Sequence, residues 1–392
     1  MLTTSALKNS PLSFRLTEEQ SLIQETIREI AQTEFAPRAK EVDANHRFPR
    51  ENWDLLTASE FVGLPFPEVY GGAGLDHVSY AIVVEELAQA CATTSVMYSA
   101  HVSLCATPIF ILGTEEQKKR FLMPMCKGKT MGAFALSEPG SGSDSAAATC
   151  MATLKGDKFI LNGAKNWITN GIEADLYLVI AQTDPSLKHK GLVALLVEKG
   201  TPGFTFGKLE DKLGIKGSST CQILFENSPI PVENMLGTVG EGFKVAMVTL
   251  DGGRIGIAAQ AVGIAQGAWN HALHYARERV AFGKKVSEFE AIRLMLAEMQ
   301  SEIDAARLLT YHASIAQDNG ERFTADAARA KLYASEVAMR STVKCVQIFG
   351  GYGYVTDYPA ERYMRDAKIT EIYEGTSEIQ RLVIANSILK GH

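Results

Sequence analysis

Ile372-Tyr-Glu-Gly-Thr-Ser-Glu-Ile-Gln-Arg381 is the stretch around which this chain is organised, because it sets a carboxylate immediately before a helix. A Thr and a Ser ahead of a Glu, followed by the apolar residues of 379–384, predict a helix N-terminus. Glu374 stands between an aromatic ring and a glycine, so we expect it to be partly removed from water, which raises the pKa of a carboxyl toward the range of a general base. Taken alone, the stretch leaves a second interpretation open, a loop carboxylate near a helix dipole.

The composition is that of an ordinary soluble globular protein with 392 residues, 46% of them hydrophobic and 21% charged, enough for two or three domains. A formal net charge of −6 argues against nucleic acid or an anionic membrane as the main partner. No apolar run approaches the roughly 18 residues of a membrane-spanning helix, so we predict no membrane insertion. Residues 1–14 lack the pattern of a secretory or transit signal. We therefore predict a cytoplasmic protein, or one of the mitochondrial matrix if the chain is a mature eukaryotic form.

The six cysteines are scattered, without a C-x-x-C pair or a cluster of Cys and His. This spacing argues against zinc and iron–sulfur sites, so no metal site is predicted. Reduced thiols in a reducing compartment are the expectation.

The first third of the chain has the periodicity of helices. Thr-Glu-Glu-Gln capping boxes stand at 17–20 and 114–117, and apolar residues recur at helical spacing. A helix is predicted after Asp76, with Glu85 and Glu86 facing outward. The stretch 88–112 is almost free of charge, which predicts a buried helix or a pocket wall.

The middle of the chain changes to short β-type runs separated by Gly, Asn and Pro turn signals, which predicts a barrel or sandwich. These runs are 131–136, 158–161, 176–182, 192–198 and 221–225. Because strands do not alternate with helices here, a doubly wound nucleotide-binding fold is disfavoured.

The last part returns to four long helical stretches joined by short connections, which predicts an antiparallel four-helix bundle. The stretches are about 242–281, 288–318, 324–349 and 371–389. The predicted fold class is therefore α+β multidomain. An N-terminal all-α domain spans 1–129, a middle β-barrel or sandwich domain spans 130–240, and a C-terminal four-helix bundle spans 241–392.

This order of domains, with Glu374 in the loop quoted above, resembles the acyl-CoA dehydrogenases from about residue 14 to the C-terminus. Ala135-Leu-Ser-Glu-Pro-Gly-Ser-Gly-Ser-Asp144 looks like the family's first flavin motif, and Asn166-Trp-Ile-Thr-Asn170 looks like its second. Arg277-Glu-Arg-Val-Ala-Phe-Gly283 and Gln347-Ile-Phe-Gly-Gly-Tyr-Gly353 are similar to two segments that reach a neighbouring subunit's flavin. The resemblance implies the fold of that family and FAD as cofactor.

The first two motifs imply how a chain holds its own flavin. A Gly-rich turn with hydroxyls offers N–H groups to flavin carbonyls and a pyrophosphate, although a plain surface turn is the alternative. By the resemblance, Thr169 approaches the ring nitrogen that accepts hydride, and Trp167 lies beside the ring. Alone, Trp167 would more simply be a core residue. The predicted contacts are Phe134, Leu136, Ser137, Gly142, Ser143, Trp167, Ile168 and Thr169. Outside these motifs, Thr376 and Glu378 match positions that contact the cofactor in the family.

The other two motifs imply contacts to a neighbour's flavin. Arg279 supplies a fork suited to a pyrophosphate, and Phe282 would pack by the adenosine half. Glu290 departs from the Gln that many members carry near the adenosine, which leaves this one contact open. The predicted set is Arg279, Phe282, Glu290, Gln347, Ile348, Gly350 and Gly351. A shared site implies a homo-oligomer, and the resemblance favours a homotetramer.

The resemblance implies that Glu374 removes the α-proton of an acyl-CoA thioester while the β-hydride passes to the flavin, giving a trans-2-enoyl-CoA. Arg254 would orient the catalytic loop and Asp251 would contact the substrate, although a local ion pair on a helix is the alternative. The predicted substrate-binding residues are Ser143, Asp251, Arg254, Tyr373 and Gly375. Electrons would then pass to an electron-transfer flavoprotein.

The acyl group is predicted from three further comparisons with the family. A base in the loop excludes the isovaleryl-like arrangement, in which the base lies at about the position of Gly253. Ser95 stands where glutaryl-CoA members use an arginine, so a dicarboxylate would be left unpaired. The stretches 210–220, 253–258 and 369–385 look most like the short-chain, butyryl-CoA branch. Short-chain acyl-CoA is the predicted substrate, and medium-chain or short-branched substrates stay open.

Three alternative functions share this fold. Acyl-CoA oxidases usually carry an extra C-terminal domain, and a flavin-dependent monooxygenase would not need Glu374 in this loop. A nucleic-acid-associated member with weak dehydrogenase activity would want a basic groove, which the net charge opposes. We therefore predict a flavin-dependent acyl-CoA dehydrogenase of fatty-acid β-oxidation.

Overall fold

The computed structural model describes residues 15–390. Residues 1–14, for which the sequence predicts no targeting signal, lie outside the described residues, as do 391–392. The chain runs from helices through a mixed sheet to helices again, so the predicted fold class is confirmed. The domain limits given above stay a prediction.

The N-terminal part is helical, as predicted. Thr17 Oγ1 accepts a hydrogen bond from the Gln20 N–H at 3.1 Å while the Gln20 side chain accepts from the Thr17 N–H, so the first capping box is present. Thr114 opens a second one. The helices are α1 (Glu18–Ile30), α2 (Ala36–Ala44), α3 (Arg50–Ala58), α4 (His77–Ala90), α5 (Ala92–Ser99), α6 (Thr107–Leu112), α7 (Glu115–Gln117) and α8 (Met123–Cys126). The π-helical turns Ala31–Phe35, Ala100–Ala106 and Lys118–Leu122 join some of them.

Helix α4 is buried on every side, so the prediction that Glu85 and Glu86 face outward is wrong. They are 2% and 1% exposed. Glu85 accepts from Arg307 Nε at 2.9 Å, and Glu86 accepts from Arg28 Nη2 at 2.6 Å. Because α4 lies between α1 and the C-terminal helices, its charged face meets cations of two other elements instead of water.

The segment Ala92–Leu112 is long and apolar enough to cross a membrane, so the prediction that no apolar run approaches that length is wrong. In this structure, however, 83% of the most apolar 18-residue stretch of this segment is buried inside the protein. The prediction that 88–112 is helical and buried is confirmed, except that the helix is interrupted at the extended Cys91 and that Ile111 is half exposed.

The middle part is one eight-stranded mixed sheet in the order β6-β7-β3-β2-β4-β5-β8, with β1 parallel to β4. The strands are β1 (Gly132–Ala135), β2 (Met151–Lys155), β3 (Lys158–Ile168), β4 (Leu176–Gln182), β5 (Leu192–Glu198), β6 (Phe204–Leu209), β7 (Cys221–Pro231) and β8 (Met235–Leu236). Strand β4 is buried along its whole length because alternate residues enter two different cores, one shared with the N-terminal helices and one within the sheet. Every predicted strand is present, whereas β2, β6 and β8 were not predicted.

The C-terminal part contains the four predicted long helices, a short helix and a small hairpin. The long helices are α9 (Gly242–Glu278), α10 (Glu290–Asp318), α11 (Thr324–Phe349) and α13 (Ser377–Leu389), and the short helix α12 (Ala360–Lys368) lies between the last two. A small hairpin, β9 (Val280–Ala281) with β10 (Lys284–Lys285), follows α9. The fourth long helix begins at Ser377 and not at 371, because the backbone at Glu374 and Gly375 turns into the left-handed region just before it.

Candidate active site

The loop that carries Glu374 runs from the 3₁₀ turn Ile369–Glu371 to α13. Thr376 caps α13, with its hydroxyl accepting from the Ile379 N–H. Glu374 and Gly375 have φ of +53° and +94°. A side chain in the left-handed region costs about 1–2 kcal/mol, so the surrounding structure must hold Glu374 there.

The carboxylate of Glu374 is shielded from water. The residue as a whole is only partly buried, yet its Oε2 atom is inaccessible to solvent and has no hydrogen-bond partner within residues 15–390. Burial raises the pKa of Glu374 to about 8, against the opposing pull of the Lys331 and Arg254 cations. The predicted removal from water is confirmed, and a carboxylate of this basicity is suited to accept a proton near neutral pH.

Helix α9 leaves room for this carboxylate at Gly253. A Cβ on Gly253 would lie 2.0 Å from Glu374 Oε2 and 2.6 Å from Leu104 Cδ2. Any larger side chain at 253 would therefore compete with the carboxylate for the same space. A glycine at this point of α9 is what lets the loop place Glu374 against the helix.

Arg254 and Asp251 form the local ion pair that the sequence left open. Arg254 Nη1 lies 2.7 Å from Asp251 Oδ1, and Asp251 Oδ2 accepts from the Thr324 hydroxyl at 2.6 Å. Arg254 is buried and its Nε has no partner within the described residues. Burial lowers the pKa of Arg254 and raises that of Asp251. Arg254 thus places a cation near Glu374, while the Asp251 carboxylate is already bonded to Arg254 and Thr324. Nearby, the Tyr373 hydroxyl donates to Gln260 Oε1.

Lys331 of α11 was missed in the sequence analysis. Its Nζ donates to the Gly375 carbonyl at 2.7 Å, and its side chain is fully buried. Burial lowers its pKa to about 8, although Glu374 acts in the opposite direction. A signal was present: Lys331 falls at helical spacing on the face of α11 formed by the buried Ala327 and Ala334.

The first flavin motif is shaped by a buried ion pair that the sequence analysis also missed. Lys165 Nζ lies 2.6 Å from Glu138 Oε1, with side-chain exposures of 0% and 2%, and donates to the Leu136 carbonyl at 3.0 Å. The Glu138 oxygens also accept the N–H groups of Thr149 and Cys150. Burial alone would raise the pKa of Glu138, but Lys165 and these donors hold it below its ordinary value. Beyond this anchor, the turn containing Gly142 opens toward solvent.

The second flavin motif displays an aromatic ring on a strained backbone. Trp167 is 60% exposed and has φ of +63°, so the interpretation that it is only a core residue is wrong. Asn170, with φ of +60°, anchors the motif through its side-chain amide, which donates to the Met97 carbonyl at 3.0 Å. The Asn166 N–H donates to the Ser137 carbonyl at 2.8 Å, which joins the two motifs. A presented indole beside an open Gly-rich turn fits a planar ring with a pyrophosphate tail, as in FAD.

The flavin motifs and Glu374 meet at the same helical segment. Met97 receives the hydrogen bond from Asn170, and Leu104 lies against Gly253 and Glu374. Leu104 is seven positions after Met97 in this helical segment, a distance of about 10 Å along its axis. The structure thus brings the first predicted set close to the predicted base.

The second predicted set lies far from this site in the same chain. Arg279, the C-cap of α9, is 26 residues beyond Gly253, or about 39 Å along the helix. There Phe282 is 96% exposed at φ of +51°, and the Arg279 guanidinium lies 5.4 Å from the centre of the Tyr352 ring. Glu290, Gln347, Gly350 and Gly351 are exposed at the ends of α10 and α11, whereas Ile348 is buried.

Comparison with known protein families shows which family this chain resembles. Three family models match in order: the acyl-CoA dehydrogenase N-terminal domain at residues 17–129, the middle domain at 133–228 and the C-terminal domain at 240–389. The chain belongs to the acyl-CoA dehydrogenase family. The predicted family and enzyme class, a flavin-dependent oxidoreductase, are therefore confirmed.

Curated relatives within the family cover nearly the whole chain. A short-chain specific acyl-CoA dehydrogenase of Clostridium acetobutylicum is 52% identical over 97% of this chain and 100% of its own length. The mitochondrial short-chain specific enzyme of Homo sapiens is 48% identical, over 97% of this chain and 92% of its own length.

Two solved chains share the fold of this protein closely. Butyryl-CoA dehydrogenase of Megasphaera elsdenii has a TM-score of 0.95 at 47% identity, over 96% of this chain and 100% of its own. A chain solved in work on the electron transferring flavoprotein of Acidaminococcus fermentans has a TM-score of 0.96 at 51% identity, over 97% of this chain and 100% of its own.

Proposed function

We propose that this protein is a short-chain acyl-CoA dehydrogenase that oxidises butyryl-CoA-like thioesters to trans-2-enoyl-CoA, with Glu374 as the base. The observation that carries the proposal is the solvent-shielded, unpartnered Oε2 of Glu374, whose pKa burial raises to about 8. A carboxylate kept in that state has no structural bond to make and is available to a substrate proton. The names of the relatives support the short-chain assignment.

The residues of the chain account for the proton transfer. Glu374 Oε2 would take the α-proton, and the cations of Arg254 and Lys331 keep part of the Glu374 population ionised despite its burial. Within residues 15–390 the Glu374 N–H donates no hydrogen bond, so it is available to the thioester oxygen, where negative charge develops. FAD, when bound, supplies the acceptor for the β-hydride.

FAD would be held by the two joined flavin motifs, with Trp167 beside the ring and the turn at Gly142 and Ser143 on the pyrophosphate. The exposed Phe282 and Arg279 are too far from Glu374 along α9 to serve the same site. We therefore assign them, with Gln347 and the other distant residues, to the flavin of a second copy, which makes the active protein a homo-oligomer, a homotetramer by the resemblance.

Substrate contacts are proposed for Ser143, Asp251, Arg254, Tyr373 and Gly375. Ser95 is buried and its hydroxyl donates to the Val84 carbonyl at 2.9 Å, so it offers nothing to a second carboxylate. This supports a monocarboxylic acyl chain. An electron-transfer flavoprotein is the proposed electron acceptor. The proposed compartment is the bacterial cytoplasm, or the mitochondrial matrix in a eukaryote, in keeping with six buried, unpaired cysteines.

The test is an anaerobic titration of the purified flavoprotein with butyryl-CoA, hexanoyl-CoA and isovaleryl-CoA, followed by flavin absorbance. We expect butyryl-CoA to bleach the flavin fastest, and Glu374→Gln to bleach about 10²–10⁴-fold more slowly while keeping its bound FAD. Glu371→Gln is the matched control, because Glu371 pairs with Lys368 three residues earlier in the same loop. Equal bleaching in wild type and Glu374→Gln would remove Glu374 as the base, and a colourless protein would refute the flavoenzyme assignment.

A further inference from the structure

Lys331 is a buried cation without a carboxylate partner. It is fully buried in α11, and it forms no ion pair within the part of the chain that the structure describes. A lysine in such a place loses its hydration and is retained in folded proteins mainly where its charge or its donors have a use. The one hydrogen bond of its Nζ, to the Gly375 carbonyl at 2.7 Å, ends on the residue next to Glu374.

The loop at this point needs external support. Glu374 and Gly375 both have positive φ, and Gln380 of α13 is the second donor that holds them. Its Nε2 lies 2.9 Å from the Gly375 carbonyl and 3.3 Å from the Glu374 carbonyl. Lys331 and Gln380 thus hold the same strained peptide, but only Lys331 brings a charge to it.

The charge of Lys331 acts on a crowded electrostatic site. Two cations, Lys331 from α11 and Arg254 from α9, favour the ionised form of Glu374, and burial opposes it. Asp251 offsets part of the charge of Arg254, because the two form an ion pair. The other titratable groups facing Glu374 or Lys331 are Tyr80 from α4, Tyr373 and Glu371 from the loop, and Glu378 from α13.

We propose that Lys331 is a positioning residue of the dehydrogenase reaction, which fixes the Glu374–Gly375 peptide through the Gly375 carbonyl and keeps Glu374 ionised by its charge. This rests on the proposed function, in which Glu374 is the base. Without Lys331, the loop would retain the Gln380 hydrogen bonds but lose a compensating cation. Glu374 would then stay protonated, and inactive as a base, up to a higher pH.

The experiment is the pH profile of flavin reduction by butyryl-CoA in the holoenzyme. Lys331→Met removes both charge and donor, Lys331→Gln removes the charge but keeps a donor, and Lys331→Arg keeps both. Gln380→Met is the matched control, since it removes a neutral donor from the same carbonyl. We expect the acidic midpoint to move up by on the order of one pH unit in Lys331→Met and Lys331→Gln. In Lys331→Arg it should move back toward that of the wild type, and in Gln380→Met the rate should fall without a shift of the midpoint.

A second readout does not depend on turnover. The difference in melting temperature between a protein and its Glu374→Gln variant, followed against pH, reports the ionisation of Glu374. This difference should level off at a higher pH in the Lys331→Met background than in the wild type. Unchanged midpoints in both Lys331→Met and Lys331→Gln, or an unchanged melting-temperature titration, would overturn the proposal. Failure of butyryl-CoA to bleach the wild type would refute the proposed function instead, and the melting readout would still decide the role of Lys331.

Discussion

Replacing Gly253 by alanine should disable the proposed base without disturbing the fold. The added Cβ would lie 2.0 Å from Glu374 Oε2, whereas ordinary van der Waals contact begins at 3.4 Å. The carboxylate must therefore retreat by about 1.4 Å. Because a misplacement of about 1 Å costs a reaction on the order of 100-fold, we expect flavin reduction by butyryl-CoA to slow at least that much.

The control is Gly252→Ala, one residue earlier in α9. A Cβ there meets nothing nearer than Gln317 Nε2 at 3.9 Å. Both variants gain the helix propensity of alanine, about 0.5–1 kcal/mol, so they share the same backbone effect. In Gly253→Ala, however, overpacking against Glu374 and Leu104 offsets that gain by about 1–3 kcal/mol.

The assay is stopped-flow flavin reduction under anaerobic conditions, with FAD content and melting temperature measured on the same samples. Gly253→Ala should keep its FAD and lose its rate, and Gly252→Ala should stay within about threefold of the wild type. The reasoning would be refuted if Gly253→Ala reduced its flavin as fast as Gly252→Ala, since the carboxylate would then have found another productive position.

Three further predictions concern different parts of the molecule. Lys165→Met removes the cation that pairs with the buried Glu138, so we expect the unfolding free energy to fall by about 3–5 kcal/mol and bound flavin to be lost. Denaturant titration measures the first effect and flavin absorbance the second. If both quantities were unchanged, the ion pair would not shape the turn. The pKa of Glu374 is about 8 in the folded protein against an ordinary 4.5, so the contribution of this group to stability is present below pH 4.5 and is lost as the pH rises to about 8. The unfolding free energy of Glu374→Gln should therefore exceed that of the wild type increasingly over that pH range, by up to a few kcal/mol, which melting curves at several pH values would measure. A pH-independent difference would contradict the raised pKa. Phe282→Ala should change the unfolding free energy of the chain by no more than about 0.5 kcal/mol relative to the wild type, because Phe282 is 96% exposed. It should nevertheless lower either the amount of FAD retained or the oligomeric mass measured by light scattering. No change in either quantity would contradict a shared site.

Local features of the fold were predictable from the sequence because neighbouring residues decide them. The capping box at Thr17 forms within one helical turn, and strand β4 and helix α11 have the bounds that their patterns predict. The pattern gave a wrong prediction where a residue distant in the sequence packs against the element. The outward placement of Glu85 assumed water, but the structure supplies Arg307, which lies 222 positions away in the chain.

The candidate site divides in the same way. The sequence by itself singled out Glu374 as the proposed base, through its flanking residues, the helix cap that follows it and the resemblance to the family. It also supplied the glycines and the aromatic residues of the flavin motifs. These features depend on residue type and on short spacing along the chain, which can be recognised without knowing the fold.

Only the tertiary structure decided how the site is tuned. The pKa of Glu374 results from burial against α9 and from two cations on different helices, one of which, Lys331, the sequence analysis did not single out. The distance of about 39 Å between Arg279 and Gly253 likewise follows from the length of α9, and it separates the two predicted flavin-binding sets within one chain. Burial and charge act through space, so their effect on a carboxylate is fixed only once distant segments have packed around it.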